Sequence, residues 1–301
     1  MDKHPPLQGR VIAAHGRHFT VEMSDGSLRQ CFPRGKKSEA AVGDDVLVSP
    51  QGDGEGAIDR ILERRNLLYR SDDMRTKQFA ANVDQLLVVV APEPAFSEDL
   101  LGRALVAASA SDLDVSIVLN KADLKGSLDN ARKKLQSFSR LGVGVLEVSA
   151  LSRDSVEATL LPVLRGKCSL LLGQSGMGKS TLLNALVPDA QARTQEHSRA
   201  LGAGRHTTTS TRLYHLPGHA GDIIDSPGFQ AFGLFHLGPG DIERGFPEFS
   251  QAVAECRFYN CTHRHEPGCG VLAAVARGEI AVERHELYKR ILAENEALQR
   301  Y

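Results

Sequence analysis

Two hydrophobic rhythms divide the chain. Across residues 1–70 apolar and polar positions alternate in short stretches, at 9–14, 19–23 and 46–49. Turn signals lie between them: His15-Gly16-Arg17, Asp25-Gly26 and Gly43-Asp44-Asp45. A period of two marks half-buried strands, and strands this short and evenly spaced predict a small barrel, first of all an OB-fold. Residues 51–56 read as a loop or hairpin tip, and Arg60, Arg64, Arg65 and Arg70 carry the chain out of the barrel. Residues 70–81 are polar and poorly periodic, which predicts a linker.

From residue 85 the rhythm changes. Continuous apolar runs of strand length, at 85–91, 115–119, 143–148 and 168–172, suit parallel strands buried on both faces. Helical periodicity fills the gaps at 98–109, 131–140 and 155–164. Strand and helix in alternation predict a doubly wound α/β sheet. After residue 233 the style shifts once more, and 282–299 reads as a charged amphipathic helix with Leu287, Ile291 and Leu298 as its apolar stripe. The expected organisation is therefore a barrel at 1–70, an α/β domain at 71–235 and a C-terminal module at 236–301.

The chemistry-bearing residues fall where the buried strands end. Gly173-Gln174-Ser175-Gly176-Met177-Gly178-Lys179-Ser180-Thr181 follows a strand and opens an apolar helical pattern, the context a P-loop requires. Its glycines let backbone N–H groups face phosphates, and the helix N-terminus adds positive potential. Lys179 is expected to reach the β- and γ-phosphates, and the Ser180 hydroxyl to ligate Mg2+. Asn120-Lys121-Ala122-Asp123 ends another buried strand. There the Asp123 carboxylate can accept hydrogen bonds from guanine N1–H and the exocyclic amine, donors that adenine lacks; Asn120 would fix the loop and approach the base edge, and the Lys121 stem would cover the ring. Ser149-Ala150 would support the same base, and Asp225-Ser226-Pro227-Gly228 would hold Mg2+ through Asp225 and touch the γ-phosphate through the Gly228 N–H.

The order of these motifs is rotated. The guanine-reading tetrapeptide precedes the P-loop, so the chain reads as a circularly permuted P-loop GTPase, with whatever follows Gly228 tied directly to the γ-phosphate sensor. Gly204-Arg205-His206-Thr207-Thr208-Thr209 occupies the place of switch I, with Thr208 favoured as the Mg2+ ligand and Thr207 and Thr209 open. Phe229 stands where many GTPases place a water-orienting glutamine, so unaided hydrolysis should be slow. An imidazole can orient water near neutral pH, which makes His206 the catalytic candidate; the alternative is a surface or structural histidine.

Cys256, Cys261, His263 and Cys269 form a Cys3His set suited to one tetrahedral Zn2+. Four protein ligands leave no open position, so the site would be structural, with His265 as an alternative ligand. Cys31 and Cys168 read as small buried hydrophobes. Five cysteines, three of them crowded into this cluster, fit a reducing compartment better than a disulfide framework. No apolar run is long enough for a bilayer and the first residues carry no apolar signal region, so a cytoplasmic protein without membrane contact is expected, by default a monomer. A net charge of −1 gives no global field for nucleic acid, so any RNA contact must rest on local patches such as Arg34, Lys36 and Lys37, which a solvated charged face explains equally well.

Together these motifs resemble the RsgA/YjeQ family of circularly permuted, ribosome small-subunit-dependent GTPases. The resemblance covers essentially the whole chain, from the barrel through the rotated motifs to the zinc cluster and Glu266-Pro267-Gly268-Cys269. It implies an OB-fold that touches rRNA, GTP hydrolysis stimulated by the small (30S) ribosomal subunit, and a role in late maturation of that subunit. The family's switch histidine maps onto His206. Two other classes compete: an RNA-binding module in which hydrolysis is incidental, and a P-loop ATPase or kinase, against which Asp123 argues.

Overall fold

The computed structural model describes residues 6–34, 39–52, 54–72, 75–188, 190, 211–226, 232–234 and 236–298. The N-terminal barrel consists of β1 (Leu7–His15), β2 (His18–Met23), β3 (Leu28–Pro33), β4 (Asp45–Pro50) and β5 (Glu55–Ile61). The strands run in the order β1-β2-β3-β5-β4, and β4 closes back onto β1. Only β3 and β5 pair in parallel, which gives the expected five-stranded OB-like barrel. Alternation was readable here because one strand face is covered: Val11, Val21, Cys31, Val46 and Val48 are completely buried. β5 occupies 55–61, part of which reads as a loop tip in sequence; its Glu-Gly-Ala-Ile-Asp-Arg-Ile run offers too few apolar residues to signal a strand.

The linker expected at 70–81 is instead a hairpin. β6 (Leu67–Asp72) and β7 (Arg75–Ala81) pair antiparallel as a separate two-stranded sheet, with Arg70 opposite Lys77. Its apolar residues gather at the base, where Leu68, Phe79, Ala80 and Ala81 are buried and Val42 bridges to Ala80. A hairpin with so few apolar residues has no period to read along its length.

The central sheet contains β8 (Gln85–Val90), β9 (Asp114–Leu119), β10 (Gly144–Glu147), β11 (Cys168–Leu172), β12 (Arg212–His215) and β13 (Asp222–Asp225), ordered β10-β9-β8-β11-β13-β12. All pairs are parallel except β12–β13. Every residue of β8 and β11 is buried, as continuous apolar runs require. The chain builds outward through β8, β9 and β10, then returns to set β11 on the other side of β8. Such a reversal opens a crevice at the carboxyl ends of the strands, and the expected motifs end or follow β8's neighbours on that edge. Helices α1 (Glu98–Ala110), α2 (Lys125–Arg140), α3 (Arg153–Leu164) and α4 (Lys179–Leu186) connect the layers. Ser97 and Ser152 cap α1 and α3 by accepting from Leu100 and Ser155 backbone N–H groups. At the other edge β12 meets β1, so barrel and central sheet form one eleven-stranded sheet.

The C-terminal module holds α5 (Pro239–Arg244), α6 (Ser250–Val253), α7 (Gly270–Ala276) and α8 (Val282–Leu298). It docks on α1. A Cβ at Gly102 would lie 2.1 Å from Leu287 Cδ2, so only glycine lets α8 approach this closely. Arg103 bridges Asp99 and Glu294, Arg290 also reaches Asp99, and Arg284 pairs with Glu248 while lying over the Phe246 ring. The buried face of α8 includes Leu287, Tyr288, Ile291, Leu292 and Asn295, wider than the stripe read from sequence. Among the described residues no helix is long and apolar enough to cross a membrane.

Candidate nucleotide site and metal centre

Three loops of the crevice are tied together by one buried side chain. Asn120 donates through Nδ2 to the Met177 carbonyl of the P-loop (2.9 Å) and accepts the Ala150 N–H at Oδ1 (3.0 Å). Asn120 is thus a staple of the three loops, and its amide keeps a second N–H and a second acceptor lone pair beyond these contacts. Gly178 is left-handed at φ 85° and abuts this staple, since a Cβ there would meet Asn120 Nδ2 at 2.3 Å. Ser149 donates its hydroxyl to Asp123 Oδ1 at 2.5 Å, which orients the carboxylate at the mouth of the crevice. Lys121 donates to the Glu93 carbonyl at 2.8 Å, and Gln174 accepts the Ser97 N–H at 2.8 Å, so the loop after β8 and the cap of α1 also position the site. These last partners carry no motif of their own, which is why sequence reasoning passes over them.

Gly173, Ser175, Gly176, Lys179, Ser180 and Thr181 lie between β11 and the first turn of α4, and Ser180 and Thr181 face solvent. Asp225 ends β13, three strands from β9, the strand that leads into the guanine-reading loop. Its Oδ1 is buried with no hydrogen-bond partner among the described residues. Burial pushes the Asp225 carboxyl above its usual range, and Lys179 acts in the opposite sense. An orphaned buried carboxylate oxygen beside a P-loop lysine fits a Mg2+ shell that also includes the Ser180 hydroxyl. His206, Thr207, Thr208, Thr209, Gly228 and Phe229 lie outside the described residues, as do Lys36 and Lys37. Arg34 pairs with Asp59 at 2.7 Å while its side chain remains largely exposed.

The second cluster is compact. The ligand atoms of Cys256, Cys261, His263 and Cys269 all lie within 4.8 Å of one another, and all the cysteines are free. Cys256 Sγ is 3.9 Å from Cys269 Sγ and 3.5 Å from His263 Nδ1, which itself is 3.3 Å from Cys269 Sγ. Tetrahedral bonds of about 2.0–2.3 Å place neighbouring ligands at about 3.3–3.8 Å, so the donor set has the size of a zinc shell. Backbone N–H groups of Gly270 and Leu272, at the start of α7, point at the sulfurs of Cys256 and Cys269. His263 Nε2 meets Glu243 Oε2 at 2.9 Å, a carboxylate contact that leaves Nδ1 as the ring nitrogen able to face a metal ion. His265 is exposed and stands outside the set. Glu243 is invisible to spacing rules because α5 brings it in from twenty residues upstream.

A crevice with a P-loop, an Asn-Lys-x-Asp loop and an acidic strand end in rotated order has a match among known families. The family model for the RsgA GTPase covers residues 61–235. The chain belongs to the RsgA GTPase family. It is accordingly a GTP hydrolase built as a circularly permuted GTPase. A protein of Bordetella pertussis named small ribosomal subunit biogenesis GTPase RsgA is 65% identical over 294 residues, covering 98% of each chain. The crystal structure of YjeQ from Thermotoga maritima aligns with a TM-score of 0.71 at 32% identity, over 96% of this chain and 98% of that one. YloQ, described as a circularly permuted GTPase, aligns with a TM-score of 0.67 at 28% identity, over 98% of this chain and 96% of that one.

Proposed function

We propose that this GTPase acts on the small (30S) ribosomal subunit in the cytoplasm, binding it in the GTP state and assisting its late maturation, with hydrolysis stimulated by the subunit. The observation that carries the reading is near-full-length identity of 65% to a protein named for small-subunit biogenesis. Within it, residues 1–70 form the RNA-facing barrel, 71–235 the nucleotide switch and 236–301 the metal-stabilised module.

Asp123, oriented by Ser149, selects guanine, while Asn120 keeps the base loop and the P-loop in register. Gly173, Gln174, Ser175, Gly176, Met177 and Gly178 cradle the phosphates, Lys179 neutralises the β- and γ-groups, and Thr181 contributes at the first turn of α4. Mg2+, when bound by Ser180 and Asp225, supplies positive charge to the β- and γ-oxygens. Lys121 and Ala150 border the base; Gly228, Thr208 and His206 complete the reading as γ-phosphate contact, Mg2+ ligand and water-orienting group. Cys256, Cys261, His263 and Cys269 hold one structural Zn2+, with no open position for a substrate.

The test is steady-state GTP hydrolysis with and without purified small subunits, with large subunits as the control. A rise confined to small subunits is expected, and its loss in His206→Ala would place that residue in the stimulated step. A rate indifferent to small subunits would overturn the partner assignment while leaving the GTPase intact.

A further inference from the structure

The barrel is bonded to the one hairpin of the central sheet that ends at the proposed Mg2+ site. β12 and β13 pair with Arg212 opposite Asp225 and His215 opposite Asp222. β1 and β2 hold this hairpin at both of its ends. At the nucleotide end Ala13 sits opposite Arg212, and Ala14 donates its N–H to the Thr211 carbonyl at 3.4 Å. The Thr211 hydroxyl in turn lies 3.3 Å from the hydroxyl of Ser226, the residue after Asp225. Thr211 and Ser226 are 4% and 0% exposed, so this hydroxyl pair is sheltered from competing water.

The far end is held by charge. His215 bridges the two parts, with Nδ1 at 2.7 Å from Asp222 Oδ1 and Nε2 at 2.8 Å from Glu22 Oε2 on β2. Arg10 of β1 pairs with Asp222 at 2.6 Å and donates to Cys168 Sγ at the root of β11. The contrast between the ends matters. Charge-assisted bonds are short and strong, whereas among the described residues the nucleotide end rests on a single registered pair and a long N–H···O contact. A seam fixed at one end and lightly held at the other turns a small displacement of its loose end into rotation.

We propose that the barrel reads the nucleotide state through this seam: a shift at Asp225 passes through Ser226 and Thr211 to Ala14, and the Glu22–His215–Asp222–Arg10 cluster is the fixed point about which the barrel turns. Thr211 and His215 are positioning residues; neither lies in the nucleotide site. Coupling is reciprocal, so a partner that turns the barrel biases Asp225 by the same free energy. This gives a route by which engagement of the barrel reaches the phosphate end of the crevice. It rests on Asp225 belonging to the Mg2+–nucleotide site.

Amide hydrogen exchange on the full chain, with Mg2+ and either GDP or a non-hydrolysable GTP analogue, tests it without any ribosome. In the native protein, peptides covering 222–226 and 7–15 should both exchange at rates differing by about fivefold or more between the two states, the lower edge of ordinary coupling. Thr211→Val keeps the shape but removes the hydroxyl; it should erase the difference at 7–15 and keep it at 222–226, while Thr211→Ser restores both. His215→Gln should raise exchange at 7–15 in both states and leave nucleotide affinity within about twofold, well below the coupling at issue. A difference at 222–226 that never reaches 7–15 in the native chain, or one that survives Thr211→Val, would overturn the seam alone. Exchange at both segments indifferent to the nucleotide would overturn the seam and the role of Asp225 together.

Discussion

Asn120 and Asp123 stand three positions apart and do different work. Asn120 spends its amide on Met177 and Ala150, whereas Asp123 keeps a carboxylate at the crevice mouth, held by the Ser149 hydroxyl. Replacing Asp123 with Asn keeps the shape and exchanges a charged double acceptor for an amide. GTP affinity should fall about 100-fold, as expected when hydrogen bonds to a charged group are lost, while xanthosine triphosphate, whose base carries a carbonyl in place of the amine, should gain; competition binding measures both. Asp225 makes a sharper case. Its carboxyl is raised by burial, so the nucleotide-free fold favours the protonated form. The sign follows: the charged form weakens the free fold once pH rises above the unfolded value of about 3.9. Asp225→Asn should therefore leave the nucleotide-free melting temperature equal or higher at neutral pH, and lose the increase that Mg2+ and GTP give the native protein. Thermal melts of the nucleotide-free protein and of the protein with Mg2+·GTP read both arms, and a variant that keeps the full ligand-induced increase would remove Asp225 from the site.

Element by element, legibility in the sequence followed burial. β8 and β11 were readable because both faces are covered and every residue is buried, and β1 and β2 because one face is. The β6–β7 hairpin was not, since most of its residues are polar and only a few apolar ones, Leu68, Phe79, Ala80 and Ala81 among them, pack at its base, and β5 was hidden by its charges. Within the site the motif residues announced themselves by spacing, but Gln174's tie to Ser97, Lys121's tie to Glu93 and the Glu243 contact with His263 depend on tertiary packing. The Cys3His cluster shows the same division. Its four residues lie within one short segment, while the elements around them, α7 and the face of α8 against α1, are spread over the module. Cys261→Ser should abolish stoichiometric zinc and unfold this module before the rest, visible as a separate early transition on heating. His265→Ala, outside the set, should retain both zinc and a single transition; metal analysis beside calorimetry decides between them.

At the scale of the whole molecule, barrel and central sheet are one continuous sheet whose join depends on a histidine. The hydrogen bond to Asp222 raises the His215 imidazole above its ordinary value; burial works against this, and the charges of Glu22 and Asp222 add to the rise. The other ionisable groups around the cluster include Arg10, which shares Asp222, Asp45 and Asp84, whose charges act on Arg10, His219, whose ring lies 4.9 Å from that of His215, and Cys168 beside Arg10, whose thiol burial pushes up to about 11. Asp222 itself is depressed: burial, which would raise it, is outweighed by the bonds and charges of His215 and Arg10. Asp222 therefore stays charged through the range in which the imidazole titrates, and the imidazole sets the pH dependence. Because its folded value lies above the unfolded value of about 6.5, its contribution is complete below that pH and is lost as pH rises through the folded value. The stability difference between the native protein and His215→Gln should thus be largest at about pH 6 and shrink steadily toward alkaline pH. Glu22→Gln, which keeps one partner for the ring and removes the charge on the barrel side, should fall between the two. Denaturant unfolding of the three proteins across that range measures it; a difference independent of pH would mean that His215 joins the two parts by packing alone, without its charge.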